Sequence, residues 1–216
     1  MKYLSLVKTL SRLQEEQTYF DEVFLDHYAL AFTRGSVIEV AGQASSGKTS
    51  LAMSLLSKLT RDGEVCALVD SSDSFDPCSA VTSRVDLENL LWIKCGGNME
   101  KAFLAADYLV QAKGFGAIWL NLSGLSANEL RRVPRTYWYR FRTRIRETPT
   151  LLLVTSAGSV AGSASQRSFS FSRTRVGWSG KGRFKLLREL WLSYESKMHT
   201  QNHSFPVKIE MDYREI

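Results

Sequence analysis

No stretch of the 216 residues approaches the roughly 18–20 uncharged apolar residues that a membrane span needs. The first residues, "MKYLSLVKTLSRLQEEQ", carry polar side chains throughout and no cleavage site, so they do not read as a signal peptide, and a cytoplasmic location is expected. Cysteine is scarce: Cys66, Cys78 and Cys95 are odd in number, widely spaced and without a Cys-x-x-Cys or Cys/His cluster. That excludes a disulfide framework or a zinc site and predicts three buried, reduced thiols. Acid is nearly missing from one part of the chain. From Arg131 to Arg188 there are 14 Lys and Arg against a single acid, Glu147, whereas the rest of the chain carries 14 basic residues against 21 acidic ones. A net charge of +6 therefore conceals a strongly basic half, which points to a polyanion or an acidic partner. The 44% hydrophobic and 23% charged content is otherwise that of a soluble globular protein with one ample core.

Apolar runs and turn signals alternate along the chain. "SVIEVAG" (36–42) is a β-branched run, and Leu51, Leu55 and Leu59 mark a helix from Lys48 to Arg61 that Asp62-Gly63 closes. "VCALVD" and "NLLWIKC" give two further strands. Asn98 caps a helix whose face is Met99, Phe103, Ala106 and Val110. "AIWLNL" and "TLLLVTS" are the fourth and fifth strands, with a helix from Arg135 to Arg146 between them carrying Trp138, Phe141 and Ile145. "SFSFSRTRV" and "FPVKIEMDY" alternate with period two. Residues 184–197 fit helix or strand on pattern alone, and "SAGSVAGSAS" (156–165) is expected to be a mobile loop. The expected fold is α/β: a largely parallel twisted sheet flanked by helices, with antiparallel strands at its C-terminal edge. Residues 1–30 form an N-terminal helical segment with a connection outside the core, and residues 31–216 the core domain.

"GQASSGKTS" follows the first strand and opens the first long helix, the context in which Gly-x4-Gly-Lys-Thr becomes a phosphate-binding device. Gly42, Gln43, Ala44, Ser45, Ser46 and Gly47 would turn backbone N–H groups toward a phosphate, with the positive end of the helix behind them. Lys48 would reach the β- and γ-phosphates, Thr49 would contact a nucleotide-bound magnesium, and Ser50 completes the motif.

From this loop onward the chain resembles the RecA superfamily of recombination ATPases. "GSVIEVAGQASSGKTSLAMSLL" is similar to that family's phosphate-loop signature, and "ALVDSSDSFDP" to the segment after its second strand. "VDLENLLWIKCGGNMEKAFLAADYLVQAKGFGAIWLNLSGL" is similar to its next strand, helix and strand, and "LWLSYESKMHTQNHSFPVKIEMDY" to its closing hairpin. The resemblance spans roughly 34–213 and leaves no room for a further C-terminal domain. The short core is most similar to the bacterial RecA-like accessory proteins of damage-induced mutagenesis, the ImuA type, which assist a translesion polymerase. The resemblance implies ATP or ADP with magnesium as ligand. It also implies a translesion polymerase-type or RecA-type protein partner, possible single-stranded DNA contacts, a possible homo-oligomer and no membrane role.

Several positions depart from the family's pattern. Where the family has a catalytic glutamate this chain has Ser72, which cannot act as a base for water at neutral pH. Asp73 is adjacent but points to the other face if the strand continues. Asn121 replaces the magnesium-orienting aspartate, so the charge that would hold the cation is missing. At the end of the fifth strand Thr155-Ser156 stand in place of an amide pair. Asp76 matches the family's adenine-contacting aspartate, while Ser79 replaces its stacking aromatic, leaving Phe75 as a substitute face. Of two basic residues that act on a neighbouring subunit's nucleotide, Lys197 matches one and Glu195 replaces the other.

The segment "RRVPRTYWYRFRTRIRE" interleaves arginine with aromatics. Arg131, Arg132, Arg135, Arg140, Arg142, Arg144 and Arg146, with Arg167, Arg173, Arg175 and Lys181 further on, are candidates for DNA phosphates or an acidic partner. The alternative for each single arginine is a solvated helix face. The leading reading is a nucleotide-binding, weakly or non-hydrolysing RecA-like accessory protein of DNA damage response, translesion synthesis or recombination. An active DNA-dependent ATPase or recombinase and a nucleotide-independent interaction scaffold are the alternatives.

Overall fold

The computed structural model describes residues 22–146, 148–179, 186–198 and 201–210, the last two stretches by backbone alone. The ten strands are β1 (Glu22–Leu25), β2 (Leu30–Thr33), β3 (Val37–Gly42), β4 (Cys66–Asp70), β5 (Leu90–Lys94), β6 (Ala117–Asn121), β7 (Leu151–Ser156), β8 (Arg167–Ser179), β9 (Leu186–Met198) and β10 (Gln201–Glu210). Between them lie helices α1 (Lys48–Arg61), α2 (Pro77–Thr82), α3 (Met99–Ala112), α4 (Ala127–Arg131) and α5 (Arg135–Ile145).

Strands β3 to β10 make one eight-stranded sheet in the order β10-β9-β8-β3-β7-β6-β4-β5. Six of them, β8, β3, β7, β6, β4 and β5, run parallel, and β9 and β10 add antiparallel neighbours at one edge. This is the RecA-like α/β architecture expected from the sequence. The central strands are apolar on both faces because helices cover both, which is why they read as continuous runs rather than alternations. On one face Leu51, Leu55 and Leu59 of α1 are almost fully buried against Ile38, Val40, Leu68 and Leu153. Burial of each such side chain contributes about 1.5–3 kcal/mol. On the other face Phe103, Ala106 and Val110 of α3 pack with Trp138, Phe141 and Ile145 of α5, the stripes read from the sequence. Phe103 lies edge-on to Trp138 at 5.1 Å and stacked on Phe141 at 6.0 Å.

Three expectations are corrected and one open alternative is decided. The connection placed outside the core is instead a hairpin of β1 and β2 around a 3-10 turn, with Val23, Leu25, Tyr28 and Leu30 buried in the α1-side core. The helix expected earlier in the chain lies outside the described residues. The segment that fitted helix or strand is β9, because both of its neighbours offer ladders to it. Cys78 is exposed on α2, whereas Cys66 and Cys95 are buried as predicted.

The remaining correction concerns the small-residue loop after β7, which is anchored rather than mobile. Glu39, fully buried on β3, accepts hydrogen bonds from the backbone N–H groups of Val160 and Ala161 (the latter at 2.8 Å). It also accepts from the hydroxyls of Ser159 at 2.8 Å and Ser168 at 3.1 Å. A buried carboxylate needs such donors to offset its desolvation, and here they come from the loop itself. Ala161 and Ala164 are buried beneath it, so the small side chains are packing requirements.

Candidate functional site

β3 ends at Gly42 and the chain turns through Gln43–Gly47 into α1. Gly47 has φ +92°, a left-handed conformation that glycine adopts without strain, and a side chain at Gly42 would collide with the Ser46 hydroxyl. The turn is closed by Ser46 N–H donating to the Gln43 carbonyl at 3.2 Å. No side chain caps α1, so its first N–H groups remain available to an anion. The Lys48 ammonium folds back over the loop and donates to the carbonyls of Gly42 at 2.9 Å and Gln43 at 3.1 Å. Burial lowers its pKa by penalising the charged form. The Ser46 hydroxyl is buried against Gly42, without a hydrogen-bond partner among the described residues.

A cavity of about 270 Å³ opens on this loop, lined by Ser45, Ser46, Gly47, Lys48, Thr49 and Ser50 and, from across, by Arg173, Val176 and Trp178 of β8. A free helix end and a lysine meet there, which suits the phosphates of a nucleotide. The volume is too small for a whole nucleotide, so the nucleoside would lie toward its mouth. Gly42 and Gln43 also line a cleft of about 300 Å³ beside Ser168, Ser170 and the loop after β7. A larger cavity of about 720 Å³ lies elsewhere, between the β1–β2 hairpin and the far end of α1, and none of the residues singled out in the sequence lines it.

The degenerate positions form a closed network around Asp70, at the end of β4. Asp70 is fully buried and accepts from Phe75 N–H at 2.8 Å, Ser74 hydroxyl at 3.4 Å and the Asn121 amide at 3.5 Å. The same Asn121 amide donates to the Ser74 hydroxyl at 3.2 Å. Its carbonyl oxygen accepts from Ser123 N–H at 3.2 Å and from the Thr155 hydroxyl at 3.1 Å. Thr155 in turn accepts from the Trp119 indole at 2.8 Å. Ser72 packs against Gly124 with its hydroxyl donating to Ser74 at 3.2 Å. Asp73 leaves the strand with φ +55° and accepts from Gly96 N–H at 3.1 Å.

Asp76 is the N-cap of α2. It accepts from Cys78 N–H and Ser79 N–H, both at 3.1 Å, and from the Ser79 hydroxyl, and these bonds hold its carboxyl below the usual range. It does not line the phosphate-loop cavity. Phe75 cannot serve as a base-stacking face, because it is buried edge-on to Trp92 at 5.1 Å and Trp119 at 6.4 Å.

A profile of the RecA N-terminal domain family matches residues 27–123. The chain is 37% identical over 81 residues to the Protein RecA of Picosynechococcus sp., a match covering 38% of this chain and 23% of that protein. It is 42% identical over 79 residues to the Protein RecA of Mesorhizobium japonicum, covering 37% of this chain and 21% of that protein. Residues 27–123 are similar to the RecA N-terminal domain. The matched stretch spans only about a quarter of those relatives' length and stops short of α5 and the closing strands. What that likeness covers is therefore the phosphate loop, Asp70, Asn121 and the strands β3 to β6 that carry them.

The candidate arginines divide into two groups. Arg140 and Arg144 pair with Asp107 of α3 at 3.2 and 2.5 Å, and Arg140 also stacks over Tyr137 at 4.4 Å. Arg142 donates to the Ser163 carbonyl at 2.9 Å, and Arg167 to the Ala31 carbonyl at 2.5 Å. These four are consumed in packing the molecule. Arg131, Arg132, Arg135 and Arg146 are exposed, with no ion pair to any described residue. Arg175 is exposed on β8, while Arg173 belongs to the phosphate-loop cavity. Lys197 pairs through its backbone with Ser168 and Asn202, its side chain lying outside the described residues as Lys181 does entirely. Sequence reasoning missed Glu39, Asp107 and the β8 side of the cavity. Glu39 had one signal, an acid in the middle of the apolar run "VIEVAG".

For a metal ion the fit is poorer than for phosphates. Thr49 offers one hydroxyl, the Asn121 oxygen is already occupied by two donors, and among the described residues no group of three His, Cys, Asp or Glu gathers. Magnesium would be held chiefly by the nucleotide it accompanies.

Proposed function

We propose that this chain binds an adenine nucleotide, ATP or ADP with magnesium, hydrolyses ATP slowly or not at all, and acts as a RecA-like accessory protein in the DNA damage response. The observation that carries this reading is the contrast between the two halves of the site. The phosphate loop keeps its turn, its lysine and its free helix end. The positions where hydrolysis would need a base and a metal organiser hold Ser72 and Asn121, neither of them an acid, with Ser72 bonded to Ser74 and Asn121 to Asp70, Ser74 and Thr155. Loss of a positioned base alone slows such a reaction on the order of 10²–10⁴-fold. The nearest substitute, Asp73, is turned to Gly96 N–H, which argues against the active ATPase reading.

The exposed Arg131, Arg132, Arg135 and Arg146 support contacts with nucleic-acid phosphates or an acidic protein in translesion synthesis or recombination, such as a translesion polymerase-type or RecA-type partner. Lys197, on an edge hairpin, is the residue through which a neighbouring copy would reach the nucleotide in a homo-oligomer.

Equilibrium titration with ATP and magnesium, beside Lys48→Ala, tests the reading. Binding in the micromolar range that the substitution removes supports it, together with little phosphate release in the presence of single-stranded DNA. DNA-stimulated turnover at several per second would replace it with the ATPase reading. Equal absence of binding in both proteins would leave only a scaffold.

A further inference from the structure

β8 outruns the strand it pairs with. β3 stops at Gly42, opposite Phe171, and β8 continues from Ser172 to Ser179 past the phosphate loop, supported on its other side by β9. On the paired part, Phe169 and Phe171 point into the core under α1. The next residue on that face is Arg173, which emerges at the N-terminus of α1 and lines the cavity.

Strict alternation would then bring Arg175 and Gly177 to the same face. The ladder with β9 instead shifts register between Arg173 and Arg175, and again between Gly177 and Trp178. In the first shift the ladder passes over Thr174 of β8 and the following β8 side chains move to the opposite face, whereas in the second it passes over Arg188 of β9 and does not turn β8. The residues facing the cavity are accordingly Arg173, Val176 and Trp178. Arg173 is exposed and makes no ion pair with a described residue, and the Trp178 ring is 59% exposed. An exposed tryptophan at the mouth of a phosphate-sized cavity has the shape of an unused stacking surface. The expected aromatic position is Ser79, tied to Asp76, and Phe75 is buried in the core, so no aromatic of the β4–α2 segment is exposed to replace it.

We infer that the overhanging arm of β8 is the second wall of the nucleotide site, with Arg173 binding the terminal phosphates and Trp178 stacking on the base, both within one subunit. This rests on the nucleotide-binding reading above. It removes Arg173 from the DNA-facing set and gives the site a cation that does not depend on a neighbouring copy. Arginine suits the role because its planar fork pairs bidentately with phosphate oxygens. Ser46 lines the same cavity opposite the arm, beside Lys48 and the open N-terminus of α1.

The test compares ATP with inorganic tripolyphosphate, each with magnesium, on the full chain carrying Arg173→Ala, Trp178→Ala or Arg175→Ala. The expected result is that Arg173→Ala weakens both ligands about tenfold or more. Trp178→Ala weakens ATP by roughly fivefold or more and leaves tripolyphosphate unchanged, since only ATP has a base to stack. Arg175→Ala, on the other side of the bulge, leaves both as they are. Wild-type affinities in the first two variants, alongside loss of binding in Lys48→Ala, would overturn the arm while keeping the nucleotide reading. Equal weakening by Arg173→Ala and Arg175→Ala would also overturn it, by showing a diffuse field rather than a contact. If neither ligand binds the unaltered protein, the nucleotide reading fails and the arm fails with it. Circular dichroism of each variant separates loss of contact from loss of fold.

Discussion

Asn121 and Asp70 face each other on neighbouring parallel strands, the amide of one directed at the fully buried carboxylate of the other at 3.5 Å. The amide does what a carboxylate there could not: it donates. Asn121→Asp would put two acids into a site with no described cation, and like charges at that separation oppose ionisation of the pair. We expect the variant to lose roughly 1–3 kcal/mol at pH 7. A carboxyl whose pKa is raised in the fold loses stability as pH rises, so the deficit should shrink on acidification toward pH 5. Urea denaturation at the two pH values checks this; equal stability at both would show that the site accepts a second charge.

Glu39 holds the loop after β7 through two backbone N–H groups and two hydroxyls. Glu39→Gln keeps the size but turns an N–H₂ group toward donors. The expected loss is about 1–3 kcal/mol, accompanied by faster proteolytic cleavage between residues 157 and 165. Cleavage at the wild-type rate would mean that the loop is held by other contacts.

The division of the arginines can be read by salt dependence. Replacing Arg131, Arg132 and Arg135 together by alanine should weaken single-stranded DNA binding and flatten the log–log salt slope by about 2, given a contribution near 0.7 per phosphate contact. Arg144→Ala should instead cost about 1 kcal/mol of stability through the Asp107 pair and leave the slope alone. An unchanged slope in the triple variant would show that this face does not hold DNA.

Burial pushes the Cys66 thiol up to about 12 and, with a partly offsetting Ser54 hydrogen bond, the Tyr28 phenol up to about 12. Both pKa values are raised in the fold, so their contribution is complete below the unfolded values and is lost as pH climbs from about 9 toward 12. Cys66→Ala should flatten the thiol's part of that decline in an alkaline denaturation series. In the native protein at pH 8, only the exposed Cys78 should react promptly with an alkylating agent.

The sequence made the sheet and the phosphate loop legible because both are written locally, in continuous apolar runs and in a strand–turn–helix around Gly42 to Thr49. Other features depended on partners far along the chain. The small residues of 156–165 looked like slack, yet they are small because Ala161 and Ala164 are buried and because an acid some 120 positions earlier caps their backbone. "RTR" in β8 looked like regular alternation, and nothing local announces the bulge that moves Arg173 and Trp178 to one face. Nothing local shows that Phe75 is buried, because its ring neighbours Trp92 and Trp119 come from other strands. The β9 segment was ambiguous until two ladders decided it.

β8 is clamped to β3 from Ile38 to Gly42 and loses that support beyond Phe171, while β9 and β10 stay bonded alongside it. It is thus a cantilever, rooted in the central sheet with its tip beside the phosphate loop. A load at the tip bends the whole three-stranded blade about its root. The outermost strand, β10, would swing through the widest arc, carrying a row of open backbone groups that another chain can read.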